Sequence, residues 1–123
     1  MAYGTLAVDT LNSSTGVLAS QNGMTGIAKA WVNFVGSSSP TINSSFNVSS
    51  ITYNSVGNYK INFSTSMPDT NYATLASSWH SVSNSNCTQN INTGASNAAG
   101  IQVEFYENSV STNPNQGYVA VFR

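Results

Sequence analysis

The chain has 123 residues, a net charge of −1 and 6% charged residues, against about 25% in an average soluble domain. The length suits one domain with a buried core. Its only fixed cations, Lys29, Lys60 and Arg123, are too few to neutralise a run of phosphates or an anionic bilayer, which sets aside nucleic-acid binding and membrane association.

The first 24 residues differ in texture from the rest. "YGTLAVDTL", with Tyr3, Leu6 and Val8, is extended and apolar, and "NSSTGVLASQNGMTG" has the small polar composition of a flexible connector. We expect residues 1–24 to be a docking arm and connector ahead of a β domain over 25–123. The alternative is a plain first strand of the same domain. The opening carries no basic segment followed by an apolar run of signal-peptide length, so synthesis in a cytoplasm without exit by the usual secretory signal is expected.

From residue 26 the apolar residues recur with period two, the signature of half-buried strands. In "GIAKAWVNFVG" one face takes Ala28, Ala30, Val32 and Phe34 and the other takes Ile27, Lys29, Trp31 and Asn33. "SSSP" ends this strand. "FNVSSITY" aligns Phe46 with Val48 and then slips by one, which predicts a β-bulge at Ser49–Ser50. "NSVGN" is a turn with Gly57 available for positive φ. "YKINF" returns with Tyr59, Ile61 and Phe63 inward and Lys60 and Asn62 outward, so 46–63 reads as a hairpin.

"NYATLASSWH" predicts a strand with Ala73, Leu75, Ser77 and Trp79 on one face. Ser81–Gly100 is small, polar and weakly patterned, and reads as a loop with one short strand around Cys87–Ile91. "IQVEFYE" sets Ile101, Val103 and Phe105 against Gln102, Glu104 and Tyr106. "NSVSTNPNQG" is a turn-rich connection, and "YVAVFR" closes the chain as a strand. The expected fold is all-β, an antiparallel β-sandwich.

Residues with reactive side chains are scarce. His80 precedes Ser81, but only Asp9, Asp69, Glu104 and Glu107 could orient it, and no Gly-x-Ser-x-Gly elbow is present. His80 therefore reads as satisfied or solvent-facing. Glu104 and Glu107 stand three apart on a strand and point to opposite faces, unlike a glycosidase pair. Asp69, in "MPDTNY", reads as a turn former. One cysteine and one histidine cannot make an intrachain disulfide or a zinc cluster. Cys87 reads as a small buried hydrophobe. No enzymatic activity, cofactor or metal is expected. Five N-x-S/T triplets, at Asn12, Asn43, Asn47, Asn62 and Asn86, are what chance gives at this composition.

Trp31 shares a mixed face with Lys29 and Asn33, a pattern suited to a subunit contact rather than a sandwich interior. The long polar stretches Ser81–Gly100 and Asn108–Gly117 are candidates for recognition. Their Asn90, Asn92, Asn113 and Gln116 can hydrogen-bond a neutral ligand, and Trp79 and Tyr118 can stack on one.

The chain also resembles a C-terminal domain found on phage tail fibres and other phage surface proteins. The residues that carry the likeness are Ala28–Phe34, Phe46–Ile51, Gly57–Phe63, Met67–Tyr72 and Val119–Phe122. It covers about residues 26–79 and the last five. The resemblance implies a virion surface protein, trimeric, with host attachment as its role. Together with the arm, which would reach partners in the virion, and the uncharged loops, which suit a host surface glycan, the expected setting is a virion component made in a host cytoplasm and released by lysis. In a long fibre this domain would follow a shaft, where here only a short arm is expected, so a short tip subunit, a small fibre and a head decoration protein all remain open. A surface of neutral polar side chains is consistent with each, because such groups hydrogen-bond across interfaces or to sugars without the desolvation cost of ions.

Overall fold

The computed structural model describes residues 27–81 and 87–123. The docking arm expected at Tyr3, Leu6 and Val8 lies outside the described residues, as does the side chain of Cys87. Nine strands follow in chain order: β1 (Ala28–Val35), β2 (Thr41–Phe46), β3 (Val48–Ser55), β4 (Asn58–Phe63), β5 (Ala73–Trp79), β6 (Cys87–Asn97), β7 (Gly100–Glu107), β8 (Val110–Ser111) and β9 (Gln116–Phe122). No helix occurs among the described residues. One antiparallel sheet has the order β2-β1-β9-β5, and the other β3-β4-β7-β6 with β8 paired to β7.

The alternation in the sequence becomes the core. Ala30, Val32 and Phe34 from β1 and Val119 and Val121 from β9 face Tyr59, Ile61 and Phe63 from β4 and Ile101, Val103 and Phe105 from β7. Both sheets therefore contribute one inward face to a shared interior, the sandwich arrangement. At its centre Phe34, Tyr59 and Phe105 meet edge to face, with ring centroids 5.3 to 6.0 Å apart, a geometry aromatic rings prefer. Gly117 of β9 is where this cluster needs room: a Cβ there would lie 2.6 Å from Phe34 Cε1.

The β3–β4 hairpin forms as expected, with its turn at Val56 and Gly57, where Gly57 takes φ of 74°. The register shifts between Val48 and Ser50, so the bulge falls where the sequence placed it. Phe46, however, does not continue into this hairpin. It ends β2, a strand the sequence reading missed, and pairs with Trp31 in the other sheet. Asn47, at φ of 54°, is the link on which the chain crosses from one sheet to the other.

Ser81–Gly100 is corrected in extent: the short strand expected around Cys87–Ile91 is present and runs on to Asn97. Most of the stretch is β6, which pairs with β7 from Cys87 to Asn92 and again at Asn97. Between Asn92 and Asn97 the strand advances five residues while its partner moves only from Gln102 to Gly100. The surplus is taken up in a bulge at 93–96, closed on itself by Ser96 Oγ donating to the Asn92 carbonyl at 2.7 Å and by the Ala95 amide donating to Asn92 Oδ1 at 3.2 Å.

Candidate functional site

The strand registers assemble a surface that no single segment displays. Cα partners across antiparallel strands share a face. On the outer side of the four-stranded sheet this rule sets Phe46, Trp31, Ala120 and Leu75 in one row across β2, β1, β9 and β5. The next row holds Ser44, Asn33, Tyr118 and Ser77, and Gln116 stands beside Trp79. None of these residues is charged. Leu75 is 65% exposed and Trp79 55%, with Trp31, Phe46 and Tyr118 near 40%. Ala120, small between Trp31 and Leu75, leaves a shallow depression of about 420 Å³ lined also by Asn33, Ser77 and Tyr118. Its polar groups are few, and Asn33 Oδ1 already accepts from Asn43 Nδ2 at 3.3 Å. At one end the Tyr118 hydroxyl donates to Gln116 Oε1, fixing the ring beside Trp79.

The outer side of the five-stranded sheet has the opposite character. It is a ladder of amides and hydroxyls gathered around Glu104. Asn58 and Asn92 donate to Glu104 Oε1 at 3.2 and 3.4 Å, and the Tyr106 hydroxyl donates to Oε2 at 2.8 Å. That carboxylate holds the Tyr106 hydroxyl above the usual phenol range. Asn62 reaches Ser50 and Thr52, and Asn54 reaches Asn58. The side chains on this face thus satisfy one another, whereas nothing among the described residues covers the apolar face.

The candidate residues from the sequence are redistributed. Trp31 and Asn33, expected at a subunit contact, share one face with Trp79, Gln116 and Tyr118, expected to meet a receptor. Lys29 leaves that face. The register shift between Ala28 and Ala30 turns it into the protein, where it is 1% exposed. Asn90 and Asn92 lie on strand β6 at the polar face, opposite Glu104 and Gln102, and not in a loop. Asn113 is a scaffold residue: its Oδ1 accepts from the Gly57 amide at 2.8 Å and from the Tyr59 hydroxyl at 2.7 Å. Burial pushes that Tyr59 hydroxyl well above its ordinary range. His80 is buried rather than solvent-facing, and its Nε2 meets no hydrogen-bond partner among the described residues. Asp69 accepts from the Asn71 amide at 2.8 Å, as a turn former does, and also pairs with Arg123.

Phe46, Leu75 and Ala120 belong to the apolar face and were not singled out from the sequence. The signal for Leu75 was present, since it alternates in step with Trp79. Membership of Phe46 and Ala120 depends on register, which only the folded sheet supplies. No group of three His, Cys, Asp or Glu side chains among the described residues is placed to hold a metal ion. Comparison of the chain with protein-family models, with curated proteins and with solved structures returns no match.

Proposed function

We propose that the chain is a phage virion structural protein, a tail-fibre or tip subunit whose copies associate as a homotrimer and attach to a neutral glycan on the host surface. The observation that supports this reading best is the uncharged apolar face of the four-stranded sheet, with the row Phe46, Trp31, Ala120, Leu75 at its centre. A contiguous exposed apolar surface marks an interaction site. This one offers a protruding Leu75 beside a depression over Ala120, a shape that a second copy of the chain can fill. With few ions on the molecule, little repulsion opposes the approach of copies.

The rim of that face, at Trp79, Gln116 and Tyr118, combines rings with an amide, a combination suited to stacking on and hydrogen-bonding a sugar. The likeness of residues 26–79 to phage tail-fibre tip domains supplies the virion setting, and the arm over 1–24 is the proposed link to other virion proteins. Adsorption of particles carrying Trp79→Ala or Tyr118→Ala tests the attachment role. A loss that is the same at low and high salt is expected, because no ion pairs are screened.

A head decoration protein is the second reading. It is favoured by the replacement of a displayed loop at Ser81–Gly100 by the paired strand β6, which leaves less surface on loops. Copy number separates the two: a few dozen chains or fewer per particle fits a fibre, and hundreds fit decoration. Unchanged adsorption of both variants also favours decoration.

A further inference from the structure

The two sheets do not close evenly along the side where their edge strands β5 and β6 meet. At one end Gln89 Nε2 donates to Ser78 Oγ at 2.8 Å, and this bond bridges the sheets. At the other end, where β6 bulges over 93–96, the strands part around a cavity of about 240 Å³ lined by Thr70, Tyr72, Thr74, Ile91, Thr93 and Ser96. Five of these six side chains end in a hydroxyl and none is charged.

Two of the hydroxyls are committed to the fold. The Tyr72 hydroxyl donates to the Asn97 carbonyl at 3.0 Å. Ser96 Oγ donates to the Asn92 carbonyl and accepts from the Gln102 amide. The Thr74 hydroxyl is shut from solvent and has no hydrogen-bond partner among the described residues. A buried, unbonded hydroxyl is a standing cost, and natural structures leave few of them unexplained. A bulge that re-aims side chains beside such a group is also a feature concentrated near functional sites.

We propose that this cavity is a binding site for one neutral pyranose ring. Its volume equals about eight waters at their share of liquid water, roughly 30 Å³ each, which is the scale of a single sugar residue. Threonine hydroxyls both donate and accept, as sugar hydroxyls do. The Ile91 side chain and the Tyr72 ring offer apolar surface to the C–H face of the ring. The lack of charge in the lining excludes a phosphorylated or carboxylated sugar as the preferred ligand. The role of the site, though not its chemistry, rests on the attachment reading: it would hold one residue of the host glycan, apart from the rim at Trp79 and Tyr118.

The test is an amide chemical-shift titration of the full chain with the methyl glycosides of glucose, galactose and N-acetylglucosamine, up to about 50 mM to reach weak sites, and with glucose 6-phosphate as the charged control. We expect at least one neutral glycoside to shift amides in 70–74 and 91–96. Thr70→Val and Thr93→Val should each weaken it by about fivefold or more, the equivalent of one hydrogen bond, and glucose 6-phosphate should bind no better. Thr93 is exposed on the bulge and Thr70 is exposed ahead of β5, so either variant remains informative if the other does not fold. The proposal is overturned if none of the three shifts these amides, or if shifts fall only at Trp79, Gln116 and Tyr118. The second outcome leaves attachment standing. Binding in the cavity together with unchanged adsorption of Thr93→Val particles keeps the site and overturns its role in attachment.

Discussion

Asn113 accepts from two donors that both lie inside the protein, the Gly57 amide and the Tyr59 hydroxyl. Removing the acceptor leaves both unsatisfied, so Asn113→Ala should cost about 2–4 kcal/mol, while Asn113→Asp, which keeps an acceptor, should lose much less. Thermal denaturation of the two variants checks this, and equal losses would contradict it. Thr74 has the opposite sign. Its Oγ1 is buried with no partner among the described residues, so Thr74→Val should raise stability by about 1 kcal/mol, read as a higher melting temperature in the absence of ligand. Asp69 gives the acid limb. Hydrogen bonds from the Arg123 guanidinium, foremost, and from the Asn71 amide hold its carboxyl below the ordinary range. A folded-state value below the unfolded one contributes stability above the unfolded pKa of about 3.9, and that contribution is lost as pH falls through the folded value. The pair is solvent-exposed and its contribution small. Asp69→Asn should flatten the stability curve below about pH 4 and change little at pH 7, whereas an unchanged acid slope would count against the pairing.

Asn47 carries the crossing between sheets. Its Nδ2 donates to the Lys29 and Thr65 carbonyls at 3.1 and 3.0 Å, and its Oδ1 accepts from the Thr65 amide at 2.7 Å. Glycine tolerates the positive φ at this position but makes none of these bonds. Asn47→Gly should therefore still destabilise by about 1–3 kcal/mol, and a neutral effect in urea denaturation would show that backbone conformation alone sets this junction. The same residue explains why part of the fold was hard to read. β2 offers only Ile42 and Phe46 as large apolar residues, and the switch at Asn47 lets Phe46 and Val48 look like one alternating strand when they belong to different sheets. β6 was under-read for a related reason. Its Thr88, Asn90 and Asn92 face the polar ladder, Gln89 on the inner side bonds to Ser78 where an apolar residue would mark a core strand, and the bulge at 93–96 breaks the period. Strands β1, β4, β7 and β9 were legible because they supply the core, where alternation is enforced by burial.

The molecule as a whole presents two unlike faces. Around Glu104 the amides and hydroxyls bond to one another, which answers how a protein with 6% charged residues can present a solvated surface. The other face is left with Trp31, Phe46, Leu75 and Tyr118 exposed. From sequence, Trp31 could be set outside the core by its alternation with Val32 and Phe34. The row that it joins could not be seen, because it is built from the registers of four strands, two of them, β5 and β9, distant in the chain from β1 and β2. The proposed association through this row is tested most directly by light scattering on the purified protein, alongside Leu75→Lys. Wild type should give three times the chain mass of 12.9 kDa, and the variant, with a buried charge at the contact, should fall to the chain mass with its β spectrum intact. A wild type that stays monomeric at tens of micromolar, about the concentration at which a modest interface fills, would contradict the account, as would a Leu75→Lys variant that assembles as wild type does.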